Sequence, residues 1–115
     1  MSSQTEQIRA LNDQLRQDLS TGAAVITSGV AALGAEAVYR IIKTISIYDD
    51  FCHANDPHQE HDFGAFDSRG KRIFWRIDYY DRATYGTEAE CCGSDDPSDQ
   101  AKTYRVLTIL LADEY

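Results

Sequence analysis

Two strand-like runs separated by one turn signal constrain this chain more than any other feature. His61–Phe66 and Arg72–Asp81 flank the segment Asp67-Ser68-Arg69-Gly70-Lys71. Apolar and β-branched runs bracketing a short polar, glycine-containing break predict a β-hairpin over residues 61–81. Gly70 suits the left-handed position of a type I turn followed by a G1 bulge. That turn sets a register in which Phe63 faces Trp75, Ala65 faces Ile73 and His61 faces Ile77 on one apolar side. On the other side Asp62 meets Arg76, Gly64 meets Phe74 and Phe66 meets Arg72. An opposite-charge pair and an aromatic ring over a glycine are both favourable cross-strand neighbours. The alternative register with Phe63 opposite Phe74 mixes the two sides and is less consistent.

The rest of the chain supplies partners for that hairpin. Residues 4–19 predict an amphipathic helix, because Ile8, Leu11, Leu15 and Leu19 recur at three and four positions. Ser3 and Glu6 have capping-box spacing, and Gly22 breaks the helix. Ala23 to Thr27 reads as a short strand. Ala35 to Tyr48 predicts a second helix, with Val38, Ile41, Ile42, Ile45 and Tyr48 on one face. Asp56-Pro57 closes any helix by that point. Residues 82–100 read as a long exposed loop. Tyr104 to Ala112 is a short apolar run that suits a buried strand, with a helix as the open alternative. The order α-β-α-β-β-β predicts an α+β domain, in which a four-stranded, largely antiparallel sheet carries two helices packed on one face. At 115 residues the whole chain, 1–115, suits one domain.

Charge narrows the classes of function. The formal net charge is −8, and residues 49–100 hold thirteen acids against five bases. That balance argues against direct nucleic acid binding, which needs clustered Lys and Arg. It favours a soluble surface or a protein partner with a basic surface. No apolar run approaches the ~20 residues a membrane span requires. Met1 to Glu6 lacks the basic and apolar regions of a signal peptide, so the expected location is the cytoplasm. Three cysteines, two of them adjacent, do not make a disulfide framework, and reduced thiols are expected.

Titratable groups are densest between Asn55 and Phe66. His53, His58, Glu60, His61, Asp62 and the Cys91-Cys92 pair are all metal-ligand types, but none has the spacing of a known metal motif. No metal or other cofactor is therefore expected. Were the chain an acid–base enzyme, Glu60, His61 and Asp62 are its catalytic candidates, since flanking carboxylates tune a histidine. Strand alternation separates His61 from Glu60 and Asp62, so its partner must come from elsewhere, with Tyr79, Asp81 or Glu114 available. Cys52-His53 is adjacency without geometry, and the acidic loop around Cys91 and Cys92 disfavours thiolates. The second candidate site is a contact surface. Trp75, Ile77 and Tyr79 point to the core, leaving Asp62, Phe66, Phe74, Arg76, Asp78 and Tyr80 on the opposite side and Asp81 at the strand end. That side is too aromatic for an idle solvated surface. The leading expectation is a non-enzymatic, acidic protein-binding module. A small hydrolase and a homodimer joined through an uncovered sheet face are the alternatives.

One resemblance is specific. Asn55-Asp56-Pro57, Glu60-His61-Asp62-Phe63-Gly64 with Phe66, Ile77-Asp78-Tyr79-Tyr80-Asp81, Arg105-Val106-Leu107-Thr108, Leu111-Ala112 and Glu114-Tyr115 form a set of motifs. Together with Ile8 to Asp13 near the start, they resemble the bacterial family called domain of unknown function 3768. That family is found mainly in alphaproteobacteria and often on plasmids and other mobile elements. The resemblance brings no activity, cofactor or catalytic residue. Its mobile setting implies a regulatory or anti-defence (anti-CRISPR-like) inhibitor of a host protein.

Overall fold

The computed structural model describes residues 3–86 and 93–115. Cys91 and Cys92, considered above as ligands, lie outside them. Helix α1 spans Ser3–Gln17, strand β1 Ala23–Ile26, the single-turn helix α2 Ser28–Ala31 and helix α3 Ala35–Ser46. Strand β2 spans Phe63–Ser68, β3 Lys71–Asp81 and β4 Thr103–Leu111. Short 3-10 turns follow α1 and β4. The α+β class and the four strands match expectation, and residues 103–111 are strand. The additional helix α2 begins at Thr27, whose hydroxyl accepts the Val30 N–H at 3.4 Å as an N-cap.

The sheet order is β1-β4-β3-β2, and the sheet is mixed, with two antiparallel pairings and one parallel one. β2, β3 and β4 are antiparallel neighbours, while β1 runs parallel to β4. A parallel pair needs a long crossover, and everything from α2 to β3 serves as one. Residue alternation leaves Ile73, Trp75 and Ile77 of β3 on the same face as Leu107 and Ile109 of β4, and all five are buried. Leu15 of α1, Val30 of α2 and Ile41 and Ile45 of α3 complete that cluster. All three helices therefore pack on one face of the sheet.

The hairpin differs from expectation by one residue. Arg69 (φ 50°) and Gly70 (φ 82°) are both left-handed, so Ser68 pairs directly with Lys71 across a two-residue type I′ turn. This turn matches the right-handed twist of the strands better than a bulged type I turn. The slip moves every β2 side chain to the other face. Phe63 pairs with Arg76, Gly64 with Trp75, Ala65 with Phe74 and Phe66 with Ile73. Phe66, expected outside, packs against the core cluster. Phe63, expected inside, lies on the open face with its ring 5.5 Å from Phe74. The aromatic over Gly64 is Trp75, not Phe74. Asp62 does not meet Arg76, which instead donates from Nε to Asp78 Oδ2 at 3.1 Å.

Candidate functional site

The polar centre of the molecule forms where α1 crosses the segment before β2. β2 begins at Phe63, so His61 is not a strand residue and alternation does not govern it. Its φ is 57°, and Gln59 has φ 60°, both in the left-handed region that side chains rarely adopt. Asp56 holds this shape. It is 4% exposed, and its Oδ1 accepts the N–H of Glu60 at 3.0 Å and of His61 at 3.1 Å. Asn55 fixes the turn before it by accepting the Cys52 N–H and donating to the Asp50 carbonyl.

His61 does find a partner from another element, but it is Asp13 of α1. Nδ1 lies 2.9 and 3.2 Å from the two Asp13 oxygens, so the proton sits on Nδ1. Nε2 faces Asp56 Oδ2 at 3.9 Å. Phe51 stacks flat on the imidazole, with centroids 3.8 Å apart and planes 3° apart. Asp13 also accepts from Arg16 Nη2 at 2.6 Å. Arg16, 5% exposed, donates from Nη1 to the carbonyls of Ile45 (2.7 Å) and Tyr48 (2.8 Å). A cation placed there suits the negative end of α3 and adds a donor to the Ile45 carbonyl, which also accepts the Tyr48 N–H at 3.3 Å. Its guanidinium lies over the Phe51 and Trp75 rings at 5.3 and 5.4 Å.

A second chain of bonds runs beside the first. Asn12, fully buried, donates from Nδ2 to the Glu60 carbonyl (3.0 Å) and the Tyr79 hydroxyl (2.8 Å). Its Oδ1 accepts from Arg105 Nε at 2.8 Å. The Tyr79 hydroxyl donates to Glu60 Oε1 at 2.9 Å. Arg105 also donates to the Pro97 carbonyl and covers the Tyr79 ring at 5.2 Å. Burial, opposed by the Asn12 bond and reinforced by Glu60 and Asp62, pushes the Tyr79 hydroxyl well above its ordinary range and keeps it a neutral donor. Burial holds Arg105 below its usual value.

The sequence triplet is therefore separated by role. Glu60 binds Tyr79, His61 binds Asp13, and Asp62 is left beside other acids. Burial first, then Glu60 and Asp56, raise the Asp62 carboxyl above the ordinary aspartate value. The folded chain holds that proton to higher pH than the unfolded chain does, so stability falls as pH rises from the unfolded value through the folded one. Asp62→Asn is expected to raise the thermal midpoint at about pH 7 and leave it unchanged at about pH 3, below the ordinary aspartate value. Thermal melts across that range, with an unchanged midpoint at neutral pH counting against the assignment, provide the check.

The other candidates fall elsewhere. Asp81 spends its carboxylate on the turn after β3, accepting from Ala83 N–H and Thr84 Oγ1. Glu114 accepts from Thr27, Gly29 and Leu111, and the Thr27 bond leads in holding its carboxyl below the usual range. His53 and Cys52 line a shallow cleft of about 310 Å³ with Arg9, Phe51, Asp56, Gln59 and His61. Among the described residues, no three His, Cys, Asp or Glu converge closely enough to hold a metal ion. No described helix is long and apolar enough to cross a membrane.

The face of the sheet away from the helices holds Phe74, Arg76, Asp78 and Tyr80 of β3, as expected. Phe63, Phe74 and Tyr115 gather at one end, with Phe74 5.5 Å from each of the other two rings. Tyr80, Tyr85 and Tyr104 gather at the other end at 5.2 and 4.6 Å. Between them lie the Arg76–Asp78 pair and Thr108, which is paired with Arg76 in register. The end of β3 and the start of β4 share one end of the sheet, where Asp81, Asp96 and Asp99 lie with Arg82 and Lys102, whereas β2 starts opposite Arg76 and Glu60 bonds Tyr79 on the helix side.

Fold and site together define a small α+β protein with a one-sided mixed sheet and a buried ionic network under its first helix. The chain belongs to the family described as protein of unknown function (DUF3768), whose model matches residues 26–114. The match supplies Asp56, His61, Tyr79 and Arg105. Asn12, Asp13 and Arg16 stand before it. No curated protein and no solved structure matches the chain.

Proposed function

We propose that this protein is a non-enzymatic protein-binding module whose contact surface is the open face of the sheet. The observation that carries this reading is the pair of aromatic clusters flanking the exposed Arg76 and Asp78 on the face opposite the three α-helices, where Val106 and Leu110 are buried beneath them. Tyrosine and phenylalanine in such a patch supply contact area at low entropic cost. The polar centre supports the same reading. His61 has one nitrogen bonded to Asp13, the other turned to Asp56 and one ring face under Phe51, so it joins segments rather than presenting a free base.

Charge names the partner class. The acid-rich end beside the Tyr80 cluster suits a protein with a basic surface, such as one that handles nucleic acid. The mobile setting that the family resemblance implies makes a regulatory or anti-defence inhibitor the sharpest version. Immobilised protein should retain such a partner from an extract of its own cells at about 50 mM salt and release most of it at about 300 mM, as screening of exposed charges requires. Asp78→Lys, on the exposed side of the sheet, should retain less with its circular dichroism unchanged. Retention indifferent to both salt and Asp78→Lys would overturn the reading.

A further inference from the structure

We infer that the open face binds a second copy of this chain, the two sheets stacked face to face with their β3 strands antiparallel. This rests on the reading of that face as a contact surface and names the partner that fits it. The charge pattern selects the arrangement. Arg76 and Asp78 lie two residues apart, on either side of Ile77. A two-fold axis lying between the faces, across the strands at Ile77, sets Arg76 against Asp78 of the second copy, and Asp78 against its Arg76. The same operation lays the Phe74 cluster over the Tyr80 cluster. An axis along the strands would instead set Arg76 against Arg76, which costs free energy.

The larger charge distribution agrees. The hairpin end of each sheet carries Arg69, Lys71 and Arg72, of which Arg72 is paired with Asp67 at 3.3 Å, so a modest positive excess remains. The antiparallel arrangement brings that end over the acid-rich end of the other copy. Size sets the strength of the contact. Strands of four, six, eleven and nine residues, about 4.8 Å apart and rising about 3.3 Å per residue, give a face of roughly 480 Å². Two such faces bury about 950 Å² in total, close to the ~1,000 Å² floor for a specific interface, as a weak and reversible dimer would.

Sedimentation equilibrium of the full chain tests this. Wild type should dimerise reversibly. Arg76→Asp and Asp78→Arg alone should each raise the dimer dissociation constant at least about tenfold, since each puts two like-charge contacts in a two-fold interface. The double swap Arg76→Asp/Asp78→Arg should return it to within about threefold of wild type. Thr108→Arg, which breaks no ion pair within the chain, should also dissociate the dimer without unfolding it. A monomer at every concentration up to about 0.5 mM, where association would be worth under ~5 kcal/mol, overturns the inference. So does a dimer unmoved by Thr108→Arg, or a double swap as weak as the singles. If the chain is monomeric yet holds a foreign basic partner that Asp78→Lys releases, this inference alone falls and the contact-surface reading stands.

Discussion

Gly64→Ala should lower the unfolding free energy by about 2–3 kcal/mol, a large loss for one methyl group. The reason is local. A Cβ built on Gly64 would lie 2.6 Å from Trp75 Cε2 and 2.7 Å from Cζ2, and it would also overlap the indole nitrogen. Trp75 is fully buried at the centre of the core, boxed by the Tyr48 and Phe51 rings at 5.5 and 6.1 Å, and it cannot retreat. Gly64 has no left-handed φ, so alanine suits its backbone and the penalty is steric. Trp75→Ala should cost about 3–5 kcal/mol through the cavity it leaves. The discriminating variant is Gly64→Ala with Trp75→Phe. The smaller ring removes the atoms that collide, so the double variant should lose at least about 1 kcal/mol less than the two single losses combined. Urea unfolding of the four proteins measures this. Strict additivity would show that the indole is not what excludes the methyl group.

That contact also shows how far the sequence was legible. The strands, the main helices and the core side of Trp75, Ile77 and Tyr79 were readable, whereas the ring expected over Gly64 was Phe74 and the one found there is Trp75. Each rests on periodicity or on a residue type with few options. The wrong partner for Gly64 came from turn choice. Arg69 as a left-handed residue is an uncommon choice, so a bulged turn fitted Gly70 better. One misplaced residue then inverted β2, and Phe63 and Phe66 exchanged faces. The parallel placement of β1 was hidden for another reason: four residues of strand carry no record of which neighbour they meet.

The polar centre was half visible. The density of acids and histidines around residue 60 marked the place, but the partners came from α1, where they were disguised as helix surface. Asn12 and Arg16 are four apart, one residue to the side of the stripe formed by Leu11 and Leu15. On a helix that position widens the apolar face from Ile8 through Asn12 to Leu15, and all of these are buried. A polar pair at that spacing beside a leucine stripe was the available signal for a buried network. Arg105 was similarly masked within the most apolar strand, where its guanidinium reaches Asn12.

Arg16 is where that network meets stability. Arg16→Ala should cost about 3–5 kcal/mol, the range for removing one partner of a buried, hydrogen-bonded ion pair. Three acceptors lose a donor at once: the Tyr48 carbonyl, the Ile45 carbonyl, which keeps the Tyr48 N–H, and Asp13 Oδ1, which keeps His61 Nδ1. The Phe51 and Trp75 rings also lose the cation lying over them. Arg16→Lys should cost less, about 1–3 kcal/mol, because an ammonium keeps the charge but lacks the planar fork that reaches all three. Asp13→Asn probes the same contact from the other side, though it also weakens the bond to His61. A double-mutant cycle between Arg16→Lys and Asp13→Asn should give a coupling of about 1–3 kcal/mol. Unfolding curves for the set decide the matter. If Arg16→Ala costs under about 1 kcal/mol, the guanidinium is a bystander beside α3, and α1 is held by its leucines alone. If the cycle couples as expected, α1 is fastened by one residue that bonds α3 directly and, through Asp13, the His61 segment. The same substitution should then loosen both attachments together, which amide exchange at His61, Ile45 and Leu15 would register as a shared loss of protection.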